Sequence, residues 1–253
     1  MNNIWVIAKN TFKETIRDKI MYGILGFALL FLMSTLFFAS ISLGEDIKVV
    51  KDLGLAGIYI FSIIIAIFLG SSLIYKEIEK RTLYIMLSKP VSTTQFIIGK
   101  YLGLLLSLLL NLVLMTAIYL AVVYYEKGGF DTLALWAILL NFLEVSVFIA
   151  LTVLFSTLTT PLASTIYSII VLYIGHSLSL VRKAAEKSPE IIRWLADGVY
   201  YLFPNLEKFN VRNFIVYSVH PTSAQIIYPL LYSVLLTAIL LWLANLLLKK
   251  RDL

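Results

Sequence analysis

The sequence predicts an all-α integral membrane protein with six transmembrane helices, an N-terminal amphipathic helix and a charged helical hairpin between the second and third spans. Three observations predict it. Of 253 residues, 60% are hydrophobic and 14% charged, against about 25% charged in an ordinary soluble domain. Six runs reach the roughly 20 mainly apolar residues that a bilayer crossing needs: 21–43, 53–75, 101–125, 133–157, 163–181 and 225–248. Between the second and third runs the chain collects Lys76, Glu77, Glu79, Lys80, Arg81, Lys89 and Lys100.

In residues 2–19, Ile4, Ala8, Phe12 and Ile16 recur every four residues with Trp5 beside them, and Lys9, Lys13 and Arg17 form the adjoining stripe. That pattern predicts a helix lying in the membrane interface, its basic stripe toward lipid phosphates. The first span is too long for the apolar core of a cleaved signal peptide and is followed by no small-residue cleavage site. On the second span Ser62, Ala66 and Gly70 have the spacing that lets helices approach closely.

The segment 76–100 has two halves. The second span is expected to continue as helix through Glu79, Pro90 breaks the chain, and Ser92-Thr93-Thr94-Gln95 is a capping-box pattern that opens the helix of the third span. A folded segment of mixed charge points to protein docking. Further on, residues 182–224 form the longest segment between spans. Within it Ser188-Pro189-Glu190 marks a helix start, and Ile191, Ile192, Trp194, Leu195 and Val199 follow on a face apolar enough to enter the lipid.

An even number of spans leaves both termini on one side. Lys9, Lys13, Arg17 and Lys19, the five basic residues of 76–100, and Lys249, Lys250 and Arg251 all fall on that side, opposed by only Glu14, Asp18, Glu77, Glu79 and Asp252. Basic loops stay in the cytoplasm, so both termini and 76–100 are assigned to the cytoplasmic side of the cell (inner) membrane. Residues 44–52, 126–132 and 182–224 are assigned to the outside. Arg182 and Lys183, just beyond the fifth span, run against this bias. The net charge of +6 is accounted for by the cytoplasmic loops and carries no implication of nucleic acid.

Glu144 is the one acidic or basic side chain well inside a predicted span. An acid at that depth costs on the order of 2.5–3.5 kcal/mol on insertion scales and must face the bundle or water. Asn141, Glu144, Phe148, Thr152, Ser156 and Thr159 lie at helical spacing on the fourth span, while Ser107 and Asn111 sit four apart on the third. Asn111, Asn141, Glu144 and Thr152 are therefore the candidates for a polar path. The competing expectation is that they only tie helices together, Glu144 to Asn111 among them. His176 has no second His or carboxylate at metal-ligand spacing, and the chain has no cysteine, so no metal site and no cofactor are assigned. H-E-x-x-H, paired intramembrane aspartates and a Ser/His pair at useful spacing are all missing, which argues against an intramembrane enzyme.

Lys76-Glu77-Ile78-Glu79-Lys80-Arg81-Thr82, then Leu87-Ser88-Lys89-Pro90-Val91-Ser92, then Gly99-Lys100 resemble the signature of ABC-2 type permease subunits, roughly E-x-E-x-x-T, L-x-x-P-[IV]-S and G-K. Phe155–Thr160 is similar to that family's turn between spans four and five, and Phe203–Arg212 to its segment before the last span. The chain departs from many relatives at Arg81, where they carry glycine. The resemblance extends to permeases of copper-accessory, gliding and antibiotic-export systems.

The resemblance implies one transmembrane domain over 1–253, with residues 1–20 as an elbow helix and 76–100 as the element that couples to an ATPase. It implies the coupling residues Lys76, Glu77, Glu79, Lys80, Arg81, Thr82, Pro90 and Ser92. The implied partners are two cytosolic ABC ATPase subunits per complex, a second permease copy or a paralogue, and membrane lipid. The chain has no G-x-x-x-x-G-K-[ST] phosphate loop, since residue 94 before Gly99-Lys100 is Thr and Tyr101 follows. ATP hydrolysis is thus expected on a separate polypeptide. Two functions remain open: export of a substrate, or mechanical transmission that drives an external partner protein without moving a solute.

Overall fold

A computed structural model describes residues 3–41, 45–79, 91–126 and 129–250 of the chain. The described residues are helical and contain no strand. Helix α1 (Asn3–Ile16) leads into α2 (Lys19–Ser40), α3 (Asp46–Ser71) and a short α4 (Tyr75–Glu79). Then come α5 (Thr93–Tyr125), α6 (Ala134–Leu158), α7 (Pro161–Ala185), α8 (Glu190–Leu202), a 3-10 turn (Leu206–Phe209), α9 (Arg212–Val216) and α10 (Ser223–Lys250). Six of these helices, α2, α3 with α4, α5, α6, α7 and α10, are long and apolar enough to cross a membrane. They correspond one for one to the six expected spans.

α3, α5, α7 and α10 outrun their apolar windows, because backbone hydrogen bonding continues into the interface after the side chains turn polar. α3 starts at Asp46 and α5 at Thr93, seven or eight residues before the apolar runs at 53 and 101. α5 begins at the expected capping box. The Gln95 backbone N–H donates to Ser92 Oγ at 3.2 Å, and the Ser92 N–H donates to Gln95 Oε1 at 3.2 Å. The start at 188–190 differs from expectation: Pro189 occupies the cap position with no side-chain bond, and the Ser188 hydroxyl does not cap. Helix α2 is capped by Asp18, which accepts the Ile20 N–H at 2.9 Å.

α3 and α6 are the most enclosed spans, while α2, α7 and α10 keep wide apolar faces outward. Among those outward side chains are Phe27, Leu30 and Phe37 on α2 and Trp242 on α10. In water such faces would be unstable; in lipid they are the solvent-facing surface. Ser62, Ala66 and Gly70 of α3 are buried as their spacing predicts, and a Cβ at Gly70 would collide with the Thr152 side chain of α6. The break between α3 and α4 frees two backbone N–H groups, those of Ile74 and Tyr75. Both donate to Ser156 Oγ, at 3.0 and 3.1 Å. The lower part of the polar stripe on α6 thus serves α3 and α4, satisfying backbone that lipid would leave unpaired.

α1 differs from expectation in the face that it buries. Ile7, Ala8, Thr11 and Thr15 are buried, and α1 packs along the start of α5. Two glycines of α5 make the close approach possible: a Cβ at Gly99 would meet Ile7, and one at Gly103 would meet the Ala8 carbonyl and Thr11. Ile4, Phe12 and Ile16 flank this contact half-buried, while Trp5 stays exposed. The apolar stripe seen in the sequence is hence shared between α5 and the surroundings.

Candidate functional site

Two groups of charged side chains mark the two ends of the bundle. At the end that carries the termini, Lys100 of α5 is almost fully buried, at 3% side-chain exposure, and its Nζ binds Glu77 Oε1 of α4 directly. Glu14 of α1 stands 3.6 Å from the same Nζ. One ammonium therefore joins three helices. Lys76, Glu79 and Ser92 are exposed beside it. Lys80, Arg81, Thr82 and Pro90 lie outside the described residues. Of the expected docking residues, Glu77 is committed to an internal ion pair, whereas Lys76, Glu79 and Ser92 are exposed.

At the opposite end, Lys51 pairs with Asp131 at 3.0 Å and Arg212 with Asp52 at 3.1 Å. Asp131 also accepts from the Tyr119 hydroxyl at 3.3 Å and from the Ala134 N–H at the start of α6. These contacts lock the starts of α3, α6 and α9 together. The 3-10 turn and α9 fold back over the bundle from here, with Leu206, Phe209, Val211 and Ile215 buried. Asn205 is held by the Tyr232 hydroxyl of α10, which accepts its N–H at 2.9 Å. The segment between α7 and α10 is consequently in part a cover on the bundle, while α8 leaves Ile191, Trp194 and Leu202 exposed.

Beneath this cover lies a polar cluster. Glu144 Oε1 accepts from the Tyr59 hydroxyl at 3.0 Å and lies 2.9 Å from His176 Nε2. Tyr59 Oη is itself 2.6 Å from His176 Nε2. The other ring nitrogen, Nδ1, is 3.0 Å from Glu207 Oε2, and Glu207 Oε1 accepts from Asn210 Nδ2 at 3.0 Å. Exposure rises along the chain of contacts, from 3% at Glu144 through 26% at His176 to 40% at Glu207. Imidazole can donate from both nitrogens only when protonated. With neutral imidazole, one of the two carboxyl groups must hold the shared proton for both contacts to persist.

Four elements build this cluster. α3 supplies Tyr59, α6 Glu144, α7 His176 and the 3-10 turn Glu207. Gly175 allows the turn to reach α7, since a Cβ there would strike Leu206 and the Pro204 carbonyl. Tyr59 and Glu144 border a cavity of about 200 Å³, together with Asn141, His176, Asn210 and Arg212. Of the four polar-path candidates, Asn141 and Glu144 border this cavity. Asn111 and Thr152 are buried elsewhere; Asn111 Nδ2 donates to the Ser107 carbonyl and Thr152 Oγ1 to the Ile149 carbonyl of their own helices. The expected tie from Glu144 to Asn111 is replaced by Tyr59 and His176.

Nothing local in the sequence links Tyr59, His176 and Glu207 to Glu144. A usable signal existed in depth. Glu144 follows the start of α6 by about as many residues as His176 precedes the end of α7, and those two helix ends share a membrane face. Among the described residues no group of His, Asp and Glu is arranged to hold a metal ion. The family model for ABC-2 family transporter proteins matches residues 5–253, nearly the whole chain. No curated protein matches it.

Proposed function

Since the chain belongs to the ABC-2 transporter family, and is thereby a multi-pass membrane subunit of an ABC transporter, we propose that it exports a substrate using ATP hydrolysed by a separate cytosolic subunit. Membership implies the ABC ATPase partner and assembly with a second permease. Two ATPase copies per complex, and the choice between a like copy and a paralogue, belong to the proposal. So does orientation: the basic excess of the termini face puts it in the cytoplasm of the cell membrane.

The observation that best supports this reading is the cluster around Lys100. A docking surface must pass force into the spans rather than bend locally. Here the buried ammonium ties α1 and α4 to α5, and Ser156 ties the α4 start to α6. In this proposal the exposed Lys76, Glu79 and Ser92 meet the ATPase, joined by Lys80, Arg81, Thr82 and Pro90. Glu77 positions the surface through Lys100. Asn141 and Glu144 are the inner polar contacts of the path, and Asn111 and Thr152 extend it along α5 and α6.

Charge reversal at the two exposed positions, Lys76→Glu with Glu79→Lys, tests the docking surface without disturbing the buried pair. The variant is expected to fold as the parent does and to lose co-purification with the ATPase, or stimulation of its hydrolysis by the permease. Unchanged assembly and unchanged stimulation would remove these side chains from the interface. The second reading, mechanical transmission to an external protein, draws on the exposed apolar side of α8, where Ile191, Trp194, Leu195 and Leu202 stand outward.

A further inference from the structure

The cavity beside Glu144 is bordered by polar groups that the protein does not itself satisfy. Asn141 is 8% exposed, yet neither its Nδ2 nor its Oδ1 has a hydrogen-bond partner. A buried amide left unpaired at both atoms is unfavourable, so an occupant that pairs with it is favoured. One helical turn away, Glu144 Oε1 takes both contacts from Tyr59 and His176, and no described residue hydrogen-bonds to Oε2. The wall thus offers two adjacent acceptors, one of them a carboxylate oxygen. Opposite them Leu55, Ile58 and Val211 supply apolar surface.

Charge fixes the sign of the occupant. Glu144 is the one carboxylate in the lining, and two more stand behind it, Glu207 on His176 and Asp52 on Arg212. Arg212, also in the lining, is ion-paired with Asp52 at 3.1 Å although its Nε makes no hydrogen bond, and His176 lies between the other two carboxylates. Lys208, next to Glu207, is drawn away over the Tyr232 ring, 4.4 Å from its centroid. Even with His176 protonated, the two carboxylates that flank it share a single cation. One negative charge is left over.

We propose that this cavity binds a small organic cation with a primary ammonium group, its N–H donors on Glu144 Oε2 and Asn141 Oδ1 and its hydrocarbon part against the Leu55–Ile58 wall. An ammonium has three donors and no acceptor, so it pairs with the two oxygens and leaves Asn141 Nδ2 to water. The available volume of about 200 Å³ equals the liquid share of about seven waters, enough for a compact amine and too little for a polymer. The site rests on this geometry and not on the export reading.

Calorimetric titration of the full-length chain in lipid nanodiscs tests it, with 2-phenylethylammonium as the probe and 2-phenylethanol as its neutral isostere. Saturable binding of the amine at one site per chain is expected, with none by the alcohol. Glu144→Gln is expected to weaken the amine about 10- to 100-fold, the range for a hydrogen bond to a charged group. Ala137→Phe fills the cavity from its α6 wall while leaving the Tyr59–Glu144–His176 contacts in place, and is expected to abolish binding. It decides the matter should Glu144→Gln fail to fold, with Asn141→Ala as a milder second variant. No saturable binding, equal binding of the alcohol, or binding that survives Ala137→Phe would each overturn the proposal. No ATPase is present in this titration, so a failure here leaves the permease reading intact.

Discussion

Removing the carboxylate of Glu77 should expose how much of the termini face depends on one buried ion pair. Lys100 is 3% exposed and Glu77 18%, and loss of one partner from a buried pair costs roughly 3–5 kcal/mol because the other charge is left uncompensated. Two features of the site reduce that figure. Glu14 remains 3.6 Å from the ammonium, and a lysine near a helix end can redirect its long stem toward water. We therefore expect Glu77→Gln to cost about 2–3 kcal/mol, below the full penalty for a stranded charge. Glu14→Gln, at 58% exposure, should cost less than about 1 kcal/mol. For a chain of this size each kcal/mol moves a melting midpoint by about 2–4 °C, so the two variants should separate clearly in a thermal melt of the solubilised protein. Lys100→Met in the Glu77→Leu background should recover most of the loss, since an apolar pair can replace a buried ionic one. Equal midpoints for the Glu77 and Glu14 variants, or no recovery in the double variant, would refute this assignment of the energy.

A cysteine placed at the exposed Ser92 should resist an impermeant thiol reagent applied from outside intact cells and react in inverted vesicles; labelling from outside would reverse the orientation. Gly103→Leu should push α1 off α5, because even a Cβ there meets the Ala8 carbonyl and Thr11; the readout is faster proteolysis near the N-terminus, and unchanged proteolysis would sink the packing account. Glu144→Gln is expected to impair transport while the melting midpoint holds, because the amide keeps an acceptor for Tyr59. Glu144→Leu removes that acceptor and should cost about 1–3 kcal/mol; full transport by the Gln variant would leave Glu144 a packing residue.

Most of what depends on local pattern was legible in the sequence: the six spans, the capping box at Ser92 and the small-residue face of Ser62, Ala66 and Gly70, though not the cap before α8. A bilayer makes this reading easy, because each crossing must satisfy its own backbone and so announces itself by length and hydropathy. Partnerships across the bundle were not legible. Lys100 looked like one more cytosolic charge until α1 and α4 closed over it, and Glu144 was given the wrong helix as its partner. Helical spacing places a residue on its own helix surface but does not say which of five other spans covers it. The face that α1 buries is hidden from the sequence for a related reason: the glycines that receive it, Gly99 and Gly103, belong to α5, and neither segment alone shows the fit.

The position of α6 gives the two ends of the molecule a shared part. Its lower turns carry Ser156, which holds the backbone of Ile74 and Tyr75 next to the Lys100 cluster. Its upper turns carry Asn141 and Glu144 at the cavity, and its first residue is held by Asp131 within the ion pairs of the far end. α6 thus joins the two ends through contacts fixed at each. In the proposed transport cycle the hydrogen bonds of Ser156 are one link, beside the direct packing of α3 on α6 at Gly70 and Thr152. Ser156→Ala keeps the packing volume but frees two backbone N–H groups, so it should lower coupling between ATP hydrolysis and transport while ATPase binding through Lys76 and Glu79 persists. Measuring both in one reconstituted preparation separates the cases, for coupling that survives Ser156→Ala in full would show that force reaches α6 by another route.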